Sequence, residues 1–146
     1  MKVAFLEVES DKKVYRDYSG GYGTSFNAGR SFLGKILTSL RTSKEDFPYM
    51  PYAYGATVMK KNGHDVSIVK KSISNGAVED LQDVDLVIMH GSMPNHSHEI
   101  KYLNHLKNKG VKIGVIGPFP AMKPELFKDA EFIIKGDVEN ILGEIK

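Results

Sequence analysis

Four histidines and one serine fall close together in the chain, and these residue types could bind a metal ion or carry out nucleophilic catalysis. They are His90, Ser92, His96, His98 and His105. A zinc site needs three or four convergent ligands, and no carboxylate beyond Glu99 joins the histidines. Ser92 is close to the histidines in sequence only, so no nucleophile and base are predicted. The pattern therefore indicates surface histidines and predicts neither a metal centre nor a catalytic residue.

Composition excludes several other classes. The chain has no cysteine, which removes disulfides, thiol nucleophiles and cysteine-ligated iron–sulfur clusters. A net charge of +2 gives no argument for a nucleic-acid partner. No apolar run approaches the roughly 20 residues that a membrane span needs. Glu7, Glu9 and Asp11 interrupt the first apolar run, so no signal peptide is predicted and the cytoplasm is the expected location.

Segments rich in glycine and proline follow four apolar runs. They are Gly20-Gly21-Tyr22-Gly23-Thr24, the run from His90 to His96, Gly117-Pro118-Phe119-Pro120, and Gly136-Asp137. Glycine lets a ligand approach the backbone closely, although it also serves simply to make tight turns. Neither a G-x-G-x-x-G fingerprint nor a Walker A sequence is present, so a small flavodoxin-like enzyme or nucleotide binder is the weakest interpretation.

For these loops to form one site, the strands and helices around them must bring them to the same end of the fold. Apolar runs predict five strands, and amphipathic patterns predict helices between and after them. The strands are 2–8, 64–70, 84–89, 111–116 and 131–135; the helices are 52–61, 98–108, 123–128 and 137–145. In the first helix the apolar positions are Tyr54, Val58 and Met59. The alternation predicts a doubly wound α/β fold, flavodoxin-like or Rossmann-like, with a parallel five-stranded sheet of order 2-1-3-4-5 and helices on both faces. Ligands of such sheets bind beyond the carboxyl ends of the strands, where the glycine-rich loops lie.

One domain, residues 1–146, accounts for the length, with a long insertion at about residues 9–50 after the first strand. The aromatic content of the insertion argues against disorder. Residues 31–41 have the apolar spacing of a helix.

Several motifs together resemble the N-terminal cobalamin-binding domain of radical S-adenosylmethionine enzymes. The stretch from Pro51 to Val66 is similar to that family's proline-led helix and "GHEV"-type strand entry. Residues 116–125 resemble its "GGPHPT…PEE" segment, residues 129–139 its "DxVVxGEGE" ending, and residues 20–24 its "GGFGT" run. The similarity covers nearly the whole chain and is greatest from Pro51 onward.

The resemblance implies a cobalamin whose nucleotide tail lies between the first and third strands, and a set of binding residues. They are Gly21, Tyr22, Gly23, Gly91, Ser92, Met93, Gly117, Pro118, Phe119, Gly136 and Glu139. The D-x-H-x-x-G element is absent, so cobalamin would bind base-off, without a protein histidine on cobalt. Ile116 and Phe119 replace the family's first glycine and its histidine. The partner would be a C-terminal radical catalytic domain, or a separate chain, that holds the iron–sulfur cluster and S-adenosylmethionine, since this chain has no catalytic apparatus or cysteine motif of its own.

A second interpretation stays open. The chain could keep the fold without the cofactor and serve in substrate recognition or protein interaction. Each candidate residue also has a structural role to offer: Ser92 as a helix cap, Glu139 in the first turn of the last helix, and Phe119 as a core plug.

Overall fold

The computed structural model describes residues 1–10, 31–34, 36, 50–74, 77–93, 95–136, 138 and 142. The chain divides into one unit of residues 1–14 with 51–146 and another of residues 15–50. Of the described residues of the second unit, Phe32, Leu33, Gly34 and Ile36 are helical, and the Ser31 hydroxyl accepts a hydrogen bond from the Gly34 amide at 3.0 Å. The sheet belongs to the first unit.

The first unit is an open, twisted sheet of strands connected by helices. Its described elements are β1 (Lys2–Ser10), α1 (Met50–Lys61), β2 (Asp65–Ser74), β3 (Ala77–Val78), β4 (Leu86–His90), α2 (His96–Asn108), β5 (Lys112–Ile116), α3 (Pro118–Met122), a 3-10 helix (Pro124–Phe127) and β6 (Phe132–Ile134). The strand order is β3-β2-β1-β4-β5-β6, and every pairing is parallel except that of β2 with β3. The five predicted strands and their order 2-1-3-4-5 are confirmed. The two-residue antiparallel edge strand β3 was not predicted.

Side chains of β1 alternate between two buried faces. Ala4, Leu6 and Val8 pack in one cluster with Tyr102 and Leu103 of α2. On the opposite face, the Phe5 ring lies 5.4 Å from the Tyr52 ring of α1. A strand that is covered on both sides needs apolar residues at nearly every position, which is why its sequence is an almost continuous apolar run. Helices therefore cover both faces, as predicted.

The helix α1 turns Tyr52, and not Tyr54, toward the core. Tyr54 is 56% exposed, whereas Tyr52 is 1% exposed. Gly55 also faces the core, because a methyl group at this position would lie 2.9 Å from the Phe5 ring. Of the three apolar positions noted in the sequence, Met59 is buried, Val58 is half-buried and Tyr54 is exposed.

The remaining helices agree with the patterns in part. The pattern at 123–128 forms a 3-10 helix, Pro124–Phe127, and the preceding α3 was not predicted. In the last pattern, Val138 and Leu142 are helical and buried. No helix among the described residues has the length and hydropathy to cross a bilayer.

Candidate functional site

Three glycines lie at the carboxyl ends of three neighbouring strands. The last residue pairs of these strands are His90 with Ile116 and Ile116 with Ile134. Gly91 and Gly117 follow directly, and Gly136 comes one residue later. Since neighbouring strands are about 4.8 Å apart, the loops after β4, β5 and β6 form one continuous edge. The Gly91 amide donates to the Ile116 carbonyl at 2.9 Å, which joins two of these loops.

A tyrosine hydroxyl bridges the point where β1 and β4 separate. Their pairing ends at Leu6 with Met89, while β1 continues to pair with β2 as far as Ser10. At that point the Tyr52 hydroxyl donates to the Leu6 carbonyl at 2.6 Å and accepts from the His90 amide at 2.6 Å. The Tyr52 hydroxyl thus stands in place of a direct hydrogen bond between the His90 amide and the Leu6 carbonyl. This point is the switch point of the sheet, where doubly wound proteins bind ligands.

An asparagine amide occupies the next position along β1. The Asn95 Nδ2 group donates to the Val8 carbonyl at 2.9 Å, and the residue is 2% exposed. Asn95 is the N-cap of α2, but its backbone carbonyl, not its side chain, accepts from His98 and Glu99. Its Oδ1 atom is buried and accepts no hydrogen bond from a described residue. Tyr52 and Asn95 together line the gap between β1 and the loop after β4.

Ser92 is bound to a buried carboxylate. Its amide donates to Glu99 Oε2 at 2.7 Å and its hydroxyl donates to Glu99 Oε1 at 2.6 Å. Glu99 lies in the first turn of α2 and is 2% exposed. The capping role considered for Ser92 is therefore wrong, because Asn95 is the N-cap. Ser92 fixes the loop after β4 to the helix that follows it.

Replacing Ser92 by alanine is expected to lower the free energy of unfolding by about 2 kcal/mol, because a buried carboxylate loses one of its two Ser92 donors. Urea unfolding measures the loss. Ser97→Ala is the matched control, since Ser97 is an exposed serine on α2, the helix that carries Glu99. Loss of the Ser97 hydroxyl should change stability by less than about 0.5 kcal/mol. Equal effects of the two substitutions would contradict the role given to the Glu99 contact.

Two of the three glycines face side chains of the protein itself. A methyl group at Gly91 would lie 2.3 Å from Pro120 Cγ and 2.8 Å from Phe127 Cζ. At Gly117 it would lie 2.8 Å from His90 Nε2, and the backbone there has a φ of +118°. At Gly136, with a φ of +113°, it would meet no atom within 4 Å. Only the last of these glycines has open space beside it.

The outer surface of this edge is partly apolar. Met93 is 67% exposed and Pro118 is exposed. The His96 ring nitrogen Nδ1 lies 2.7 Å from the Met93 carbonyl, and its ring centroid lies 5.6 Å from that of Phe119. Phe119 makes an edge-to-face contact with the buried Phe127, so its ring is half-buried against the core. The histidine thus supports the loop beneath the exposed Met93.

The structure brings most of the predicted residues together. Gly91, Ser92, Met93, Gly117 and Gly136 lie on the loops after β4, β5 and β6, and Pro118 and Phe119 are the first residues of α3, which follows Gly117 directly. Gly21, Tyr22, Gly23 and Glu139 lie outside the described residues. Tyr52, Asn95 and Glu99 were not predicted. Asparagine is a common helix cap, but the helix was predicted to begin at His98 and not at His96, so Asn95 was not in the cap position; no local signal marks the other two.

Comparison of the chain with protein-family models, with curated proteins and with solved structures gives no match. The fit of a ligand is therefore judged on the residues themselves. The gap between β1 and β4 holds the Tyr52 hydroxyl and the Asn95 amide, so a nucleotide tail inserted there does not fit this conformation. The rim formed by Met93, Pro118 and Gly136 is open and fits a ligand that rests on it.

Proposed function

We propose that this chain is a cobalamin-binding module of a radical S-adenosylmethionine enzyme and holds the cofactor on the carboxyl edge of its sheet. The observation that supports this is the row of Gly91, Gly117 and Gly136 after three adjacent strands. The motifs around these glycines have the order found in the family that the sequence resembles. The proposal includes the cytoplasm as the compartment.

Each part of the rim has a binding role in this proposal. Gly136 leaves room for the cofactor to approach the backbone. The Ser92 hydroxyl donates to Glu99 and keeps lone pairs that accept a hydrogen bond from a ribose hydroxyl. Met93 and Pro118 supply apolar surface that excludes water. Bound cobalamin would supply a cobalt centre for methyl transfer or radical chemistry, base-off and without a histidine from this chain.

The catalytic residues belong elsewhere in this proposal. A separate domain or partner chain holds the iron–sulfur cluster and S-adenosylmethionine, because this chain contains no cysteine. The described residues position a cofactor and perform no proton or electron transfer themselves. Neither nucleic acid nor membrane takes part.

The test is binding of hydroxocobalamin, with Gly117→Ala as the informative variant. We expect corrin absorbance to co-elute with the chain in gel filtration, and Gly117→Ala to weaken binding at least about tenfold because the added methyl group displaces His90. Gly63→Ala is the matched control. Gly63 also has a positive φ, +83°, but it precedes β2 at the opposite edge of the sheet.

Absence of corrin absorbance in the protein peak, from a chain that is folded by circular dichroism, would contradict the proposal. If Gly117→Ala and Gly63→Ala lost affinity for hydroxocobalamin equally, the loss would come from backbone strain and not from a change at the rim. A thermal melt of each variant, with and without hydroxocobalamin, separates loss of fold from loss of binding.

A second candidate is a cofactor-free domain of the same fold that recognises a substrate or another protein. The observation that favours it is the occupation of the gap by the chain's own groups: Tyr52 and Asn95 bridge it, and Gly91 and Gly117 face Pro120 and His90. Under this candidate a folded chain leaves hydroxocobalamin in the free fraction. Its thermal midpoint also stays unchanged when the cofactor is added.

A further inference from the structure

Within the described part of the chain, no strand pairs with the outer edge of β6. The Glu131 amide donates to the Ile113 carbonyl at 2.8 Å, and Ile133 pairs with Val115 of β5. The Gly91 amide donates to the Ile116 carbonyl, so Ile116 directs its backbone groups toward β4 and Val115, one residue earlier, directs its groups toward β6. The residue that pairs with Val115 in the parallel ladder, Ile133, therefore directs its N–H and C=O groups away from β5. Phe132 and Ile134 direct their groups toward β5, and the N–H and C=O groups of Ile133 lie on the outer edge. No backbone group of the described residues hydrogen-bonds to them on that side.

The charged side chains of residues 131–135 are arranged so that two copies of this segment, placed antiparallel, bring opposite charges together. Glu131, Ile133 and Lys135 share one face of the strand, since side chains alternate. The two charged residues are exposed and Ile133 is half-buried. The opposite charges stand at equal distances on either side of Ile133. In a parallel pairing of two such strands like charges would meet, whereas in an antiparallel pairing each glutamate meets a lysine.

We propose that two copies of this chain associate through β6, antiparallel, about a twofold axis at Ile133. The two Ile133 residues face each other at the axis and exchange both of their outward backbone bonds, which makes two hydrogen bonds. Glu131 lies opposite Lys135 of the second copy, twice by symmetry, and the two Ile133 side chains cover each other. This is an isologous contact, the commonest arrangement of homodimers.

The charges decide which pairing the edge accepts. Charged residues at an edge strand ordinarily prevent it from pairing with other strands. Here their opposite signs disfavour the parallel register and stabilise only the antiparallel one. The backbone of β6 is also fixed beside β5 by the close packing of the Phe132 ring over Gly114. A methyl group at Gly114 would lie 2.4 Å from the Cε2 atom of Phe132.

Sedimentation equilibrium of the full chain at low salt tests this proposal. The interface is small, so we expect a reversible dimer that forms between about 10 and about 500 μM. Lys135→Glu should weaken association at least about tenfold, because two attractive cross-strand pairs become repulsive. Glu131→Lys should have the same effect. The double variant Glu131→Lys/Lys135→Glu should restore the dissociation constant to within about threefold, since every cross-strand pair is attractive again.

Lys60→Glu is the control, because it makes the same charge change on an exposed residue of α1; it should leave association unchanged. A chain that stays monomeric over the whole range would overturn the proposal. So would a dimer that Lys135→Glu does not weaken, or one that the double variant fails to restore. The last two results would place the contact between copies on another surface.

Discussion

Tyr52→Phe is expected to lower the free energy of unfolding by about 2 to 4 kcal/mol. The hydroxyl is buried and serves two backbone groups at once, the Leu6 carbonyl and the His90 amide. Phenylalanine keeps the ring contact with Phe5 but leaves both groups without a partner, and each buried unsatisfied group costs about 1 to 3 kcal/mol. Urea unfolding monitored by circular dichroism measures the loss.

Tyr54→Phe is the matched control for this prediction. It makes the same chemical change two residues away on the same helix, at a side chain that is 56% exposed. It should change stability by less than about 0.5 kcal/mol. Hydrogen exchange gives a second measurement, because the His90 amide should exchange faster in Tyr52→Phe and not in Tyr54→Phe. Similar stability in the two variants would mean that the bridge contributes nothing.

Gly91→Ala is expected to cost about 2 to 3 kcal/mol of stability by overpacking. The new methyl group would lie 2.3 Å from the Pro120 ring, which is buried and stiff, and 2.8 Å from the buried Phe127 ring. Neither ring can move aside without disturbing the core. The loop after β4 should also become less ordered, which would weaken hydroxocobalamin binding if the rim holds that cofactor. Thermal and urea unfolding measure the first effect.

A double-mutant cycle tests whether Pro120 causes this cost. Pro120→Ala removes the ring atoms that a methyl group at Gly91 would overlap. In that background the cost of Gly91→Ala should fall by about 1 kcal/mol or more, as expected for residues in direct contact. Strict additivity of the two substitutions would show that the strain arises in the backbone of the loop and not against Pro120.

The sheet could be predicted because its information is local. The runs of β1, β4 and β5 are almost continuously apolar, and strands buried on both faces need this composition. Parallel strands joined by right-handed crossovers then leave few possible strand orders. The edge strand β3 was missed because its two residues, Ala77–Val78, are too few to show any periodicity.

The details of the site depend on long-range contacts that no local pattern carries. Tyr52 and Tyr54 are the same residue type on one helix, and long-range contacts of Tyr52 distinguish them, such as the hydrogen bond to Leu6, 46 positions away in the sequence. Gly91 was predicted for its room beside a ligand, yet Pro120 takes up that room in the structure. A glycine looks the same in sequence whether a ligand or a neighbouring side chain requires it.

The central position of β1 has a consequence for synthesis of the chain. Its strand neighbours are β2 and β4, and Leu6 pairs with Met89, which the ribosome adds 83 residues later. At about 5 to 20 residues per second, translation of that interval takes about 4 to 17 s. During this time the apolar segment from Val3 to Leu6 has left the ribosome before both of its pairing strands exist. We therefore expect nascent chains to be held by chaperones until β4 emerges.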